Sequence, residues 1–303
     1  MQDLELKGIP DNSYISSPTR TLEVLRKHDI RLKKTLGQNF LIDTNILKKI
    51  VRGAGVSDGD VILEIGSGIG SLTEILLHKA RKVICIEIDK KLGNAFNEIF
   101  DSHLGKRVVL VEKDAMKIDY PELIGDNKVS KVVSNLPYKI AAPVIIKLLL
   151  EAMKIDEMYF TIQKDIASRL TAGVGEKDYS SYTVKANYLA DFKVLFKIER
   201  TCFFPVPFVD SVFIKSKRKT GMKKMLSSKE TPYFFNFIDA CFAHRRKKLI
   251  NSLQASGYSA LVDKIDIIAK MLHGIGKDTS IRAENLKLEE FLNLFNSIRN
   301  GIK

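Results

Sequence analysis

The 303-residue sequence has only three cysteines, at 85, 202 and 241, far apart and without a CxxC pair. That argues against a disulfide framework and a cysteine-based zinc site, and it fits a reducing, cytoplasmic compartment. No run of about 18 apolar residues occurs, so no membrane span is expected. The longest apolar stretches, such as Val144 to Leu150, are short and interrupted by lysine. Met1 to Pro10 has no apolar signal core. The five histidines, at 28, 78, 103, 244 and 273, show no ligand spacing, so no metal is expected. Internal repeats and low-complexity tracts are absent as well. Hydrophobic residues make up 45% and charged residues 28%, as in a folded globular protein. The length allows one large domain or two ordinary ones.

Positive charge is in excess. Lys+Arg number 49 against 36 Asp+Glu, a net of +13. Composition alone does not separate nucleic acid from a membrane surface or from solubility. Position says more. Arg20 to Arg52 carries a net of +6 and Thr201 to Ile250 a net of +8, so the rest sums to −1. The two basic segments are candidate contact surfaces, and the chain between them reads as an ordinary enzyme or scaffold.

Ser17-Pro18 offers an N-cap followed by proline at the first helical position, which predicts a short helix over 18–28. Gly37 to Phe40 reads as a loop, and Asp43 or Thr44 caps a second helix. From residue 60, apolar strand-like runs alternate with helical stretches. The strands are Val61 to Ile65, Lys82 to Ile88, Val108 to Val111, Lys131 to Val133 and Met158 to Ile162. The helices are Gly70 to His78, Lys91 to Phe100, Pro143 to Met153 and Ile166 to Ala172. Such alternation argues for a parallel sheet covered on both faces. Asp191 to Ile198 and Val209 to Lys217 look like a further strand pair. Residues 219–230 read as a linker. After it come helical patterns: Pro232 to Leu253, Ser259 to Leu272 and Leu288 to Ile298. The expectation is an α/β domain over 1–220 and a small all-helical domain over 221–303.

Four groups of residues carry chemistry. In Val61-Ile-Leu-Glu-Ile-Gly66-Ser-Gly68-Ile-Gly70 a strand runs into a glycine turn and a helix, so backbone passes close to a ligand. Glu87 ends the next strand, where an acid suits the two hydroxyls of a ribose. The GxGxG spacing differs from the dinucleotide GxGxxG and favours an adenosyl ligand without a pyrophosphate, namely S-adenosylmethionine (AdoMet). Asp114, after the third strand, lines the same crevice and suits an adenine amino group.

Asn135-Leu136-Pro137-Tyr138 follows the fourth strand. An exocyclic adenine nitrogen is a poor nucleophile because its lone pair is delocalised into the ring. Two acceptors, the Asn135 side-chain carbonyl and the Leu136 backbone carbonyl, hold its N–H groups and aim the lone pair at the sulfonium methyl. Pro137 fixes the turn and Tyr138 supplies a stacking face.

In Phe203-Phe-Pro-Val-Pro-Phe-Val-Asp-Ser211 the prolines hold aromatic rings in a loop. Phe203 or Phe204 stacks on the second face of the base; core packing is the competing role for Phe204 and Phe208. Ala243 to Lys248 reads as part of a helix, whose Arg245, Arg246, Lys247 and Lys248 favour phosphate contact; a solvated face is the competing role.

With these residues in place, the chain closely resembles the KsgA family of ribosomal RNA small-subunit adenine dimethyltransferases. The likeness runs from residue 18 to 298. It includes Leu36 to Asp43, the glycine turn, Asn135 to Tyr138, Phe203 to Ser211, Phe242 to Lys248 with Asn251 to Leu253, and Arg282 to Asn285. The resemblance implies a Rossmann-like class I AdoMet-dependent methyltransferase sheet. It implies AdoMet contacts from Gln38, Asn39, Leu41, Gly66, Gly68, Glu87, Asp114 and Asn135, and an adenine sandwiched by Tyr138 and Phe203. It further implies dimethylation of two adjacent adenosines in a hairpin near the 3′ end of small-subunit RNA, with the immature small subunit as partner and the enzyme a monomer. Alternatives are the large-subunit enzyme of the macrolide-resistance type, a non-catalytic assembly factor and a DNA adenine methyltransferase.

Overall fold

The computed structural model describes residues 14–32, 36–219 and 226–299. The chain divides into two units. One runs to Ala167 and resumes at Phe192–Arg218; the other takes Ser168–Asp191 and the residues from Lys219 onward. Ser168–Asp191, expected in the α/β domain, thus clusters with the C-terminal residues. The reason is aromatic packing: buried Tyr188 lies 5.2 Å, centroid to centroid, from Phe234.

The first unit begins with α1 (Pro18–Lys27), β1 (Phe40–Leu41) and α2 (Thr44–Gly53). Ser17 Oγ accepts from Arg20 N, and Asp43 Oδ1 accepts from Asn45 N and Ile46 N, so both helices carry side-chain N-caps. Residues just before α1 are packed: Tyr14 and Ile15 are buried, and Ile15 N donates to Glu74.

The alternating part follows as β2 (Val61–Ile65), α3 (Ser71–Leu77), β3 (Lys82–Glu87), α4 (Lys90–Ile99), β4 (Val108–Glu112), α5 (Tyr120–Asn127), β5 (Lys131–Asn135), α6 (Ala141–Glu151) and β6 (Glu157–Gln163). Beyond it come α7 (Lys164–Thr171), α8 (Ser181–Leu189), β7 (Ala190–Ile198), β8 (Phe203–Phe204) and β9 (Ser211–Arg218). The seven-stranded sheet has the order β4-β3-β2-β5-β6-β9-β7. Its first five strands are parallel, and β9 enters antiparallel beside β6. All five residues of β2 are buried, as a strand covered on both faces requires.

The order reverses between β2 and β5. Ligands of open α/β sheets bind in the crevice outside the strand ends at such a switch point. A separate pair, β1 with β8, joins Phe40 to Phe204 and Leu41 to Phe203. Arg218 is a buried base inside this unit. Its guanidinium donates to the carbonyls of Leu149, Ala152 and Ile155, closing the C-terminal end of α6.

The second unit contains α8 with α9 (Thr231–Phe242), α10 (Leu249–Ala255), α11 (Ile265–Gly274) and α12 (Leu288–Ile298). Its core gathers Phe234, Phe237, Phe291 and Phe295, all essentially unexposed. The helical stretch expected over Pro232 to Leu253 is two helices, because residues 243–248 form a turn. Ser252 explains the break: its Oγ accepts from His244 N and donates to Ala240 O, fixing the corner. Part of the expected linker, residues 220–225, and the N-terminal residues 1–13 lie outside the described residues. Among the described residues no helix is long and apolar enough to cross a membrane.

Candidate active site

A crevice of about 1200 Å³, part of it open to solvent, lies at the switch point within the first unit. Gln38, Asn39, Leu41, Gly66, Gly68, Glu87, Asp114 and Asn135 all line it, as do Leu136, Pro137 and Tyr138. Eleven residues from five stretches of sequence are thereby brought together. Phe203 is not part of this lining.

The glycine turn works by close approach. Gly66 has φ +71° and Gly68 φ +60°. A Cβ on Gly66 would meet Pro137 Cγ at 2.6 Å, and one on Gly68 would meet the Phe40 ring at 2.6 Å. The turn is therefore pressed against both the Asn135–Tyr138 turn and β1. Glu87 is 6% exposed, and its Oε2 accepts from Gly68 N while Oε1 accepts from the N–H groups of Ile88 and Asp89. Burial raises its pKa, and the three N–H donors oppose that rise. Each carboxylate oxygen keeps acceptor capacity for hydroxyls presented from the crevice. Asp114 Oδ1 caps the turn after β4 by accepting from Met116 N. Gln38 Nε2 donates to Asp89, which ties the N-terminal loop to the end of β3.

Asn135 is the centre of the site. Its Nδ2 donates to Asn39 O at 3.3 Å. A backbone carbonyl only accepts, so the NH₂ must face it, and the amide orientation follows from that bond. Asn135 Oδ1 is then a buried acceptor with no hydrogen-bond partner. Such an atom is costly unless something fills it. Next to it, Leu136 N is tied to Thr161 O, and among the described residues no hydrogen bond ends on Leu136 O. Gly37, at φ +67°, seats the loop: a Cβ there would lie 3.0 Å from Lys139 N.

The aromatic pair differs from the expectation. Phe203 is completely buried within the apolar core, and its ring is tilted 60° to that of Tyr138 at 6.3 Å. Its pairing with Leu41 through β8 and β1 accounts for the burial. No two-sided sandwich is formed in this conformation, and Tyr138 offers the available face. Tyr138 Oη is bonded to Ser211 Oγ at 2.9 Å. Phe204 is half-buried, and Phe208 is 98% exposed, so core packing does not describe Phe208.

Sequence reasoning missed two polar groups here. Glu64 lines the crevice at 2% exposure, receives the Thr73 hydroxyl at 2.6 Å, and has its pKa pushed up to about 8 by burial. Ser71 Oγ, also on the lining, is buried without a partner. Glu64 stands inside the glycine motif, two residues before Gly66. Its place on a wholly apolar strand was the available signal.

The residues fit AdoMet. A glycine cradle, the buried acid Glu87 and the unpartnered buried Ser71 hydroxyl on one lining suit a nucleoside with a polar tail. No phosphate-binding cation need be supplied.

The basic turn of the second unit is also altered. Arg245 is exposed but partnered at the surface: its Nε donates to Glu284 Oε2 at 3.0 Å, and its guanidinium also donates to the carbonyls of Glu176 and Lys177. It ties the turn to the segments around Glu176 and Glu284, and its charge still reaches solvent. Arg246, Lys247 and Lys248 are exposed on the turn between α9 and α10.

Fold and site together define a Rossmann-like class I AdoMet-dependent methyltransferase. The family model for "Ribosomal RNA adenine dimethylase" matches residues 30–300, and the chain belongs to that family. It is 38% identical over 288 residues to "Ribosomal RNA small subunit methyltransferase A" of Geobacillus thermodenitrificans, covering 94% of this chain and 97% of the relative. The protein of that name from Listeria monocytogenes is 37% identical over 294 residues, covering 95% and 98%. Among solved structures, a dimethyladenosine transferase from Plasmodium falciparum superposes with a TM-score of 0.67 at 27% identity, covering 86% of this chain and 97% of that one. The fold is shared by the 23S rRNA methyltransferase ErmE, with a TM-score of 0.60 at 24% identity, covering 86% and 99%.

Proposed function

We propose that the protein dimethylates the exocyclic amino groups of two adjacent adenosines in a hairpin near the 3′ end of small-subunit ribosomal RNA, with AdoMet as methyl donor. The observation that carries the reading is the pair of open acceptors, Asn135 Oδ1 and Leu136 O, beside the cofactor crevice. The small-subunit target is supported by the names of the relatives.

AdoMet, when bound, supplies an electrophilic methyl group. The chain's own residues do the rest. Glu87 and the glycine turn place the nucleoside part. Asn135 Oδ1 and Leu136 O each accept one N–H of the target, which orients the nitrogen lone pair toward the methyl. Both acceptors are prefixed, by Asn39 O and by Thr161 O respectively, so little reorganisation is needed at reaction. Tyr138 covers one face of the base. No side chain has to remove a proton before attack, because the lone pair, not an anion, is the nucleophile. The immature small subunit is the partner, and the exposed Arg246–Lys248 turn supports phosphate contact.

Incubation of immature small subunits with the protein and AdoMet, followed by mass spectrometry of the nucleosides, should yield N6,N6-dimethyladenosine. Asn135→Ala should retain RNA binding and lose transfer by roughly 10²–10³-fold. Methylation confined to large-subunit RNA or to duplex DNA would overturn the reading.

A further inference from the structure

Ser211 stands at the start of β9, wholly buried, and is paired through the backbone with Gln163 of β6. Two residues back along β6, Thr161 O accepts from Leu136 N. One strand pair therefore fixes both ends of the target turn: β6 holds the Leu136 backbone, and β9 holds the Tyr138 hydroxyl through Ser211 Oγ at 2.9 Å. Tyr138 has no opposing parallel ring, since Phe203 is buried and tilted 60°. Beside the turn and the tilted Phe203 ring, this hydrogen bond helps set its direction.

The chemistry makes that direction matter unequally in the two transfers. An unmodified adenine amino group has two N–H bonds, one for each acceptor. Each transfer replaces one N–H by N–CH₃ and releases one proton. The monomethyl product therefore keeps a single N–H and loses one of its two anchors. Its placement for the second transfer leans more on the ring that covers the base. We propose that Ser211 is a positioning residue which, through Tyr138, sustains the second methylation of each adenosine. This rests on the adenine reading above.

The test is a time course of mono- and dimethyladenosine, by mass spectrometry, on immature small subunits with saturating AdoMet. Ser211→Ala and Tyr138→Phe each remove one hydroxyl of the pair. Both should slow the second transfer relative to the first by roughly three- to tenfold, the value of one hydrogen bond, so monomethyladenosine accumulates. The double variant should be no worse than either single one, because all three lack the same bond. Ser216→Ala is the control, a buried serine on the same strand whose hydroxyl has no partner; it should leave the product ratio unchanged. An unchanged ratio in Ser211→Ala, multiplying effects in the double variant, or accumulation with Ser216→Ala would each overturn the proposal. Failure of the functional reading shows separately, as absence of dimethyladenosine from the wild-type product.

Discussion

Substituting Gly66 by alanine should damage catalysis out of proportion to its backbone cost. The residue has φ +71°, and its Cβ would sit 2.6 Å from Pro137 Cγ and 2.7 Å from Pro137 Cδ. A proline ring cannot swing aside as a long side chain would. Reaching ordinary contact means moving Pro137 by about 1 Å, and the Leu136 carbonyl and Tyr138 move with it. A misplacement of about that size costs on the order of 10²-fold in rate. The stability cost has two parts: about 1 kcal/mol for alanine at positive φ, and about 1–3 kcal/mol for overpacking. Gly55→Ala separates them, since Gly55 has φ +57° and nothing lies within 4 Å of its Cβ position. Thermal melts should place Gly66→Ala about 2–12 °C below Gly55→Ala. Single-turnover methyl transfer should be near normal in Gly55→Ala and reduced on the order of 10²-fold in Gly66→Ala. If the two variants melt together and transfer at the same rate, the packing of the two turns is not what the missing side chain serves.

Two other perturbations follow from buried and exposed charge. Glu64 keeps its proton in the folded protein up to about pH 8, while the unfolded chain releases it near 4.5. Stability therefore falls by about 1.4 kcal/mol per pH unit as pH rises across that window and levels off above it. Glu74, raised to about 7 by burial, adds a slope of the same sign. Glu64→Gln should make the profile shallower, leaving the Glu74 part below pH 7 and a Glu87 part of the same sign; denaturant titrations from pH 5 to 8 with equal slopes in both proteins would refute it. Replacing Arg246, Lys247 and Lys248 together by alanine should weaken RNA binding and reduce the slope of log K against log salt by about 2–3. Filter binding across a salt series reads this directly, and an unchanged slope would make the turn an ordinary solvated surface.

Local signals carried most of the sheet into the sequence. The five parallel strands are continuous apolar runs, most of them rich in Val or Ile, and each fell within a residue or two of its place. The site residues clustered because strand ends in such a sheet share one edge. What was not legible depends on distant pairing. Phe203 looked like a free stacking ring because its sequence gives no hint that β8 pairs with β1, 160 residues earlier in the chain. Residues 243–248 looked helical because the apolar spacing continues across them; the Ser252 side chain that turns the corner is a single polar residue on a buried face. Helix α8 left little periodic signal, since Thr183, Val184, Ala186, Tyr188 and Leu189 are buried on several sides.

Charge shows the same division between what is counted and what is used. The segment from Thr201 to Ile250 owes its net of +8 partly to residues with internal duties. Arg218 is buried against three carbonyls of α6 and its flank, Lys215 pairs with Glu157, Lys219 with Asp191 and Arg245 with Glu284. The exposed pairs are weak and still present charge to solvent. Arg218 is different, because a buried guanidinium that satisfies helix-end carbonyls presents almost none. The net count therefore overstates the positive surface of this segment, in which Arg246, Lys247 and Lys248 are exposed. The count measured composition; only burial and partners convert it into a surface.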